Sequence, residues 1–291
     1  SYQNIMRYFT PKFWLGMTAS PERTDAFDVY NAYDHNIAYE IRLQQALEEN
    51  LLCPFHYFGI TDLQIDGETV DEETGWKDFN RLTSDARVSY VIEQAEYYGY
   101  CGKSPKGLIF CSSKKEAGVL SKKFNDHGYR AIALTGDDSQ EKREQAIERL
   151  VLEDGENKLD YIFTVDIFNE GVDIPEVNQV IMLRPTESPI VFVQQLGRGL
   201  RKLEDKEYVV ILDFIGNYKN NFMIPIALSG DRSYNKDNIR RYVLEGERII
   251  PGSSTIHFDE ISRKRIFAAI DSANFSDIKL IKDNYKNLKN K

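Results

Sequence analysis

Residues 159–201, LDYIFTVDIFNEGVDIPEVNQVIMLRPTESPIVFVQQLGRGLR, decide how the rest of the chain reads. The apolar runs 161–163 and 179–183 have the length and composition of buried parallel strands. The first enters a polar turn, residues 166–175, built around Gly171. The second precedes a short helical pattern, residues 190–196, that runs into Arg198 and Arg201. Arginines three apart on a helix share a face, so two guanidinium forks can converge on one anion. The alternative is that both pair with acidic side chains at the surface.

The same rhythm continues on both sides. Residues 108–111, 131–134 and 208–214 (YVVILDF) read as strands. Ser113, with Glu116 three positions on, forms a capping box that opens a helix reaching about His127, and Gly128 stops it. Asp138 is the expected cap of a second helix, residues 140–151. Strands and helices alternating at this spacing predict a three-layer α/β domain over residues 106–216, a parallel sheet covered on both faces.

Ahead of it, residues 33–50 carry a helical pattern and 53–60 an aromatic strand. Residues 85–98 form a helix with Val88, Val91, Ile92 and Ala95 on one side. A loop rich in glycine, serine and proline, residues 99–107, marks the boundary. Residues 13–17 read as a strand ending in Thr18-Ala19-Ser20-Pro21. It is either the exit strand of a preceding domain or an edge strand with a polar turn. Past residue 216 comes an apolar, irregular stretch, 222–228, and a helical pattern from Glu260 onward. The basic end, KLIKDNYKNLKNK, is either a solvated helix face or a nucleic-acid contact.

The totals narrow the class. No run of eighteen apolar residues occurs, so a membrane span is not expected, and no segment resembles a signal peptide. Cys53, Cys101 and Cys111 are too few and too irregular for a disulfide framework, which favours a reducing, cytoplasmic setting. The net charge of -9 is uneven: residues 201–291 carry 17 basic and 13 acidic side chains, a balance of +4, leaving -13 on residues 1–200. Average charge therefore does not exclude phosphate contacts, which depend on placement. The acid cluster of residues 62–78 reads as a solvated loop.

In an open parallel sheet, ligands bind beyond the carboxyl ends of the strands. Four loops are expected there: Ser112-Ser113, Thr135-Gly136, residues 164–175 and the arginine helix, with the pair facing that edge. Gln194, one turn before Arg198, can donate to the same ligand, and Gly197 would allow close backbone approach. No GxxxxGK[ST] loop occurs, nor a strand ending in paired metal-holding acids; Asp213 is a lone, structural acid. His35, His56, His127 and His257 lie on different elements, so no metal site is expected.

In order and spacing, these segments resemble the motifs of superfamily 2 helicases. QQLGRGLR is similar to motif VI, FTVDIFNEGVDIPEV to motif V, GLIFCSS to motif IV, and LGMTASPER to motif III at the end of a first RecA-like domain. The wider text, including YEIRLQQALEENLLCPFHYFGITD, LDFIGNY and YNKDNIRRYVLEGERIIPGSSTIHFDEISRKRIF, resembles the DEAD/DEAH-box branch of type III restriction subunits and repair helicases. Bacterial members of that branch often carry a phospholipase-D-like nuclease domain.

The resemblance implies a RecA-like second domain at 106–216. It further implies a remnant of the first domain at 1–30, a connecting segment at 31–105 packed on the second domain, and an accessory extension at 217–291. Arg198, Arg201 and Gln194 then correspond to the residues that reach ATP phosphates across a cleft, and Gly171 and Asp173, beside Gly197, to those that sense the nucleotide. Ser112, Gly136 and Thr164 would touch the nucleic-acid backbone; Thr18 and Ser20 would couple nucleotide state to grip. Two positions depart from the pattern. Val165 stands where a threonine is usual, with Thr164 one residue earlier, and Glu170 replaces an arginine. The implied cofactor is ATP with Mg2+ and the implied partners are DNA and a first RecA-like domain in cis. Without a cradle lysine and metal acid, these residues alone are not expected to hydrolyse ATP. The other class left open is a non-catalytic RecA-like module for protein contact or DNA scaffolding.

Overall fold

Seven strands, β1 (Phe55–Thr61), β2 (Gly107–Phe110), β3 (Ala131–Leu134), β4 (Tyr161–Thr164), β5 (Gln179–Met182), β6 (Val209–Ile215) and β7 (Thr255–Phe258), form one sheet. Their order is β3-β4-β2-β5-β6-β1-β7, and every neighbouring pair is parallel. β2, β4, β5 and β6 are buried at every position, which is why they read as continuous apolar runs and not as alternating ones. The computed structural model describes residues 2–18, 29–63, 79–165, 174–185, 188–216, 218–231 and 233–273.

The chain divides into two units, residues 1–40 with 278–291, and residues 41–277. In the first unit, α1 (Tyr2–Tyr8) precedes an exposed segment, 11–18, that has no strand pairing, and α2 (Val29–Ala32) is one turn long. The strand expected at residues 13–17 is therefore absent as a strand. Extended backbone becomes one only when a neighbouring ladder takes its N–H and C=O groups. Asp34 and His35 follow α2 in the left-handed region, at φ 51° and 58°, and break the helical pattern expected from residue 33 onward.

The second unit holds the sheet and α3 (Leu43–Glu48), α4 (Phe79–Leu82), α5 (Asp85–Tyr98), α6 (Lys114–Asp126), α7 (Gln140–Val151), α8 (Pro189–Gly197), α9 (Met223–Ser229), α10 (Lys236–Ile249) and α11 (Glu260–Ser272). Because strand side chains alternate, the sheet feeds two cores. Phe110, Ile162, Val180, Met182 and Ile211 face a cluster that includes Leu150 of α7, Phe192 and Leu196 of α8, and Ile239 and Ile266 of α10 and α11. Ile109, Phe163, Ile181 and Leu212 face Val88 and Val91 of α5 and Leu120 and Phe124 of α6. Each such side chain contributes roughly 1.5–3 kcal/mol by leaving water. The result is a RecA-like parallel sheet with helices on both faces and a helical C-terminal extension.

Several elements differ from expectation for local reasons. The sheet does not close at residue 217: β7 pairs with β1 beyond β6, and 222–228 falls largely in α9. Asp138 does not cap α7. Ser139 does, accepting from Lys142 N at 3.3 Å, while Asp138 Oδ2 accepts from Thr135 N at 2.7 Å and closes the preceding turn. Ser113 does cap α6, but the Glu116 carboxylate accepts from Ser112 N (2.8 Å), one residue before the usual position.

Candidate functional site

α6 leaves β2 onto one face of the sheet, and α8 leaves the neighbouring β5 onto the other. The crevice at their carboxyl ends is therefore a topological switch point, the place where such sheets take ligands. Ser112, two residues past β2, borders it, and Thr164 ends β4 on the other side of β2, where Cys111 N donates to Thr164 O at 2.9 Å. Thr164 is fully buried, and neither its Oγ1 nor Ser112 Oγ has a hydrogen-bond partner among the described residues. A buried hydroxyl without a partner is costly, and ligand sites are where such groups collect. Gly136 sits in the next loop, where Arg143 of α7 donates to Thr135 O (3.3 Å) and Gly136 O (3.0 Å).

Beneath this edge lies an ion network that the sequence reading missed. Asp62, expected in a solvated acidic loop, is 1% exposed, and Arg87 Nη2 donates to its Oδ2 at 2.9 Å. The same guanidinium donates from Nη1 to Leu82 O (3.0 Å) and Glu116 Oε1 (3.4 Å), and from Nη2 to Leu183 O (3.5 Å). One side chain thus ties together the ends of β1 and β5 and the start of α6. Burial alone would lower the Arg87 pKa, but Asp62 and Glu116 more than offset it, and the net shift is upward. Burial also pushes the Glu116 carboxyl above its usual value, against the pull of Arg87 and the Ser112 and Ser113 N–H groups. Through Glu116 the network reaches Ser112 N and sets where that residue sits. The readable signal was Arg87 itself, a charge on the face of α5 that also carries Val88, Val91 and Ala95.

The arginine pair is elsewhere. α8 has nine residues, about 13 Å at 1.5 Å per residue, and a four-residue strand at 3.3 Å per residue is equally long. α8 therefore carries the chain from the carboxyl edge back to the amino edge. Leu200 O accepts from Cys53 N, two residues before β1, at 2.9 Å. A Cβ on Gly199 would lie 2.9 Å from Val209, the first residue of β6. The expectation that Arg198 and Arg201 face the carboxyl edge is thus corrected. Nor do they share an α-helical face, because α8 ends at Gly197. Bonds from Arg198 N to Gln195 O (3.3 Å), Gly199 N to Leu196 O (3.1 Å) and Leu200 N to Gly197 O (3.2 Å) form a tighter turn. Arg198 is half-buried in it, Arg201 is exposed, and Gln194 is half-buried on α8. The close approach assigned to Gly197 belongs to Gly199; a Cβ on Gly197 meets nothing within 4 Å.

Ile174 and Val177, buried just ahead of β5, lie toward this same amino edge. Gly171, Asp173 and Ser20 lie outside the described residues, and Thr18 is exposed in the other unit. Asp213 lies inside β6, 2% exposed, and Tyr57 donates to its Oδ2 at 2.6 Å. Among the described residues no helix is long and apolar enough to cross a membrane.

Residues 92–202, which contain β2 to β5, α8 and the arginine turn, match the family described as the helicase conserved C-terminal domain. Over this stretch the chain is similar to the RecA-like C-terminal domains of superfamily 2 helicases, DEAD-box proteins among them. IRC3 of Saccharomyces cerevisiae, which is named as an ATP-dependent helicase, is 27% identical over 245 residues, 80% of this chain and 34% of that protein. The pre-mRNA-splicing ATP-dependent RNA helicase prp28 of Schizosaccharomyces pombe is 33% identical over 113 residues, 38% of this chain and 15% of that one. A fragment structure described as an HsdR subunit of a type I restriction enzyme from Vibrio vulnificus YJ016 aligns at a TM-score of 0.57. It is 24% identical and covers 73% of this chain and 41% of that chain, a likeness of fold. The chain spans about a third of the length of IRC3.

Proposed function

We propose that this helicase C-terminal domain works as one half of an ATP-driven motor on nucleic acid, with DNA as the track. The reading rests most on one observation: at the carboxyl ends of the adjacent strands β2 and β4, Ser112 and Thr164 present buried hydroxyls without partners among the described residues. Phosphate oxygens of a strand lying along the carboxyl edge would accept from both, with Gly136 contributing backbone beside them. DNA as the track is supported by the resemblance of the sequence motifs to those of restriction and repair helicases.

In this account the opposite edge meets the nucleotide. Arg201, exposed, and Arg198, half-buried, would neutralise charge that develops on a transferring phosphoryl group, and Gln194 would orient it. The five fixed N–H donors of each guanidinium suit phosphate oxygens, so this donor set fits ATP; Mg2+ would be held by acids of a preceding RecA-like domain in cis, which also supplies the phosphate cradle. Gly171 and Asp173 would register the nucleotide, and Thr18 and Ser20 would relay its state. With Ser112 and Thr164 at the carboxyl edge and Arg198 and Arg201 toward the amino edge, a change at one edge would move the other as a rigid body.

The test is nucleic-acid affinity. Ser112→Ala and Thr164→Val should together weaken binding of a single-stranded oligonucleotide by the full-length protein about 10-fold or more, without lowering its melting temperature. Unchanged affinity would remove the carboxyl edge from the track.

A further inference from the structure

The segment between the arginine turn and β6 does more than connect them. Lys206 N donates to Leu203 O at 3.1 Å, and the two residues form an isolated antiparallel bridge, so the chain doubles back tightly. This reversal sends the Lys206 side chain under the arginine turn, where the residue is 8% exposed. An ammonium group has three donors, and this one finds three backbone carbonyls: Gly199 O at 3.0 Å, Val177 O at 3.2 Å, and Pro175 O. Gly199 lies between Arg198 and Arg201. Pro175 and Val177 follow Gly171 and Asp173 closely in sequence.

The lysine is itself pinned. Cys53 Sγ donates to Lys206 O at 3.7 Å, while Cys53 N holds Leu200 O, so both ends of the reversal are fastened to the start of β1. On the far side of the same peptide, Glu207 N donates to Cys101 Sγ at 3.4 Å.

We infer that Lys206 is a positioning residue. Its ammonium clasps the arginine turn to Pro175 and Val177 and so sets where Arg198 and Arg201 project. The inference rests on the reading of those arginines as phosphate-directed. A tripod of carbonyls is matched by a compact ammonium, not by a flat guanidinium or a neutral side chain. The clasp acts on a geometry realised in the transition state, so its loss lowers kcat and leaves ATP binding nearly intact.

The experiment is steady-state, nucleic-acid-stimulated ATP hydrolysis by the full-length protein, comparing wild type, Lys206→Met and Arg201→Ala. Misplacing a reacting group by about 1 Å costs about 10²-fold. The expected result is a kcat about 10- to 100-fold lower in Lys206→Met, with the KM for ATP within about threefold of wild type. Faster hydrogen exchange at the Gly199 and Leu200 amides would accompany it. If Arg201→Ala loses activity while folded Lys206→Met keeps the parental kcat, the clasp is refuted and the arginine reading stands. If Arg201→Ala is fully active, the arginine reading fails and the clasp goes with it. Should Lys206→Met not fold, Lys206→Arg carries the same comparison: it keeps the charge but not the tripod, and a parental kcat there overturns the clasp.

Discussion

Replacing Asp213 by asparagine should change how stability depends on pH. Asp213 is buried in the middle of the sheet, and burial pushes its carboxyl up to about 7, although the Tyr57 hydroxyl that donates to it pulls the other way. An unfolded aspartate ionises near 4. Between these values the folded protein holds a proton that the unfolded chain has released, so stability falls as pH rises through that window. The slope is at most about 1.4 kcal/mol per pH unit, and the whole loss roughly 4 kcal/mol, complete above about pH 7. Asparagine keeps an acceptor for Tyr57 and carries no charge. Urea unfolding of wild type and Asp213→Asn at about pH 5 and about pH 8 isolates the effect, since all other groups cancel in the difference. The variant should gain roughly 3 kcal/mol relative to wild type across that interval. A difference that stays constant with pH would mean that Asp213 ionises normally, and the argument from burial would be wrong.

Three further outcomes follow from packing and charge. Gly199→Ala places a methyl 2.9 Å from Val209 Cγ1 and should destabilise by about 1–3 kcal/mol, whereas Gly197→Ala, with open space around it, should be neutral or stabilise by up to about 1 kcal/mol. Thermal unfolding reads both. Arg87→Met leaves the buried Asp62 and Glu116 without their cation and should cost about 3–5 kcal/mol near neutral pH, less in acid, where the Glu116 carboxyl, raised by burial, takes up a proton. Denaturation at two pH values checks it. Thr164→Val alone should raise unfolding stability by about 1 kcal/mol, because the buried hydroxyl it removes is costly and has no partner among the described residues; urea unfolding checks it.

Much of the fold was legible because its signals are local. α5, α7 and β3 match their expected spans residue for residue, since their apolar spacing is local, although the cap of α7 is Ser139 and not Asp138. β7 was not legible. Thr255–Phe258 is four residues long, and its place beside β1 depends on a partner two hundred residues away. The same non-locality hid the Arg87 network, whose acids come from two separate elements. Lys206 was hidden for the opposite reason: a lysine in the charged run KLEDKE looks solvated, and only the turn at Leu203 shows where its tip goes. At the candidate site, residue types were readable but their edge was not. Spacing along the chain places Arg198 after a helix, and only the direction of α8 across the sheet shows which end of the strands it reaches.

The central claim is that this domain supplies phosphate-directed arginines to an ATP-driven motor on nucleic acid. The most direct measurement is nucleic-acid-stimulated ATP hydrolysis by the full-length protein, wild type beside Arg201→Ala. The account predicts a loss of about 10²-fold or more in kcat with the fold and nucleic-acid affinity retained. Hydrolysis at the parental rate in Arg201→Ala would contradict it, and would return Arg201 to the role of a surface cation.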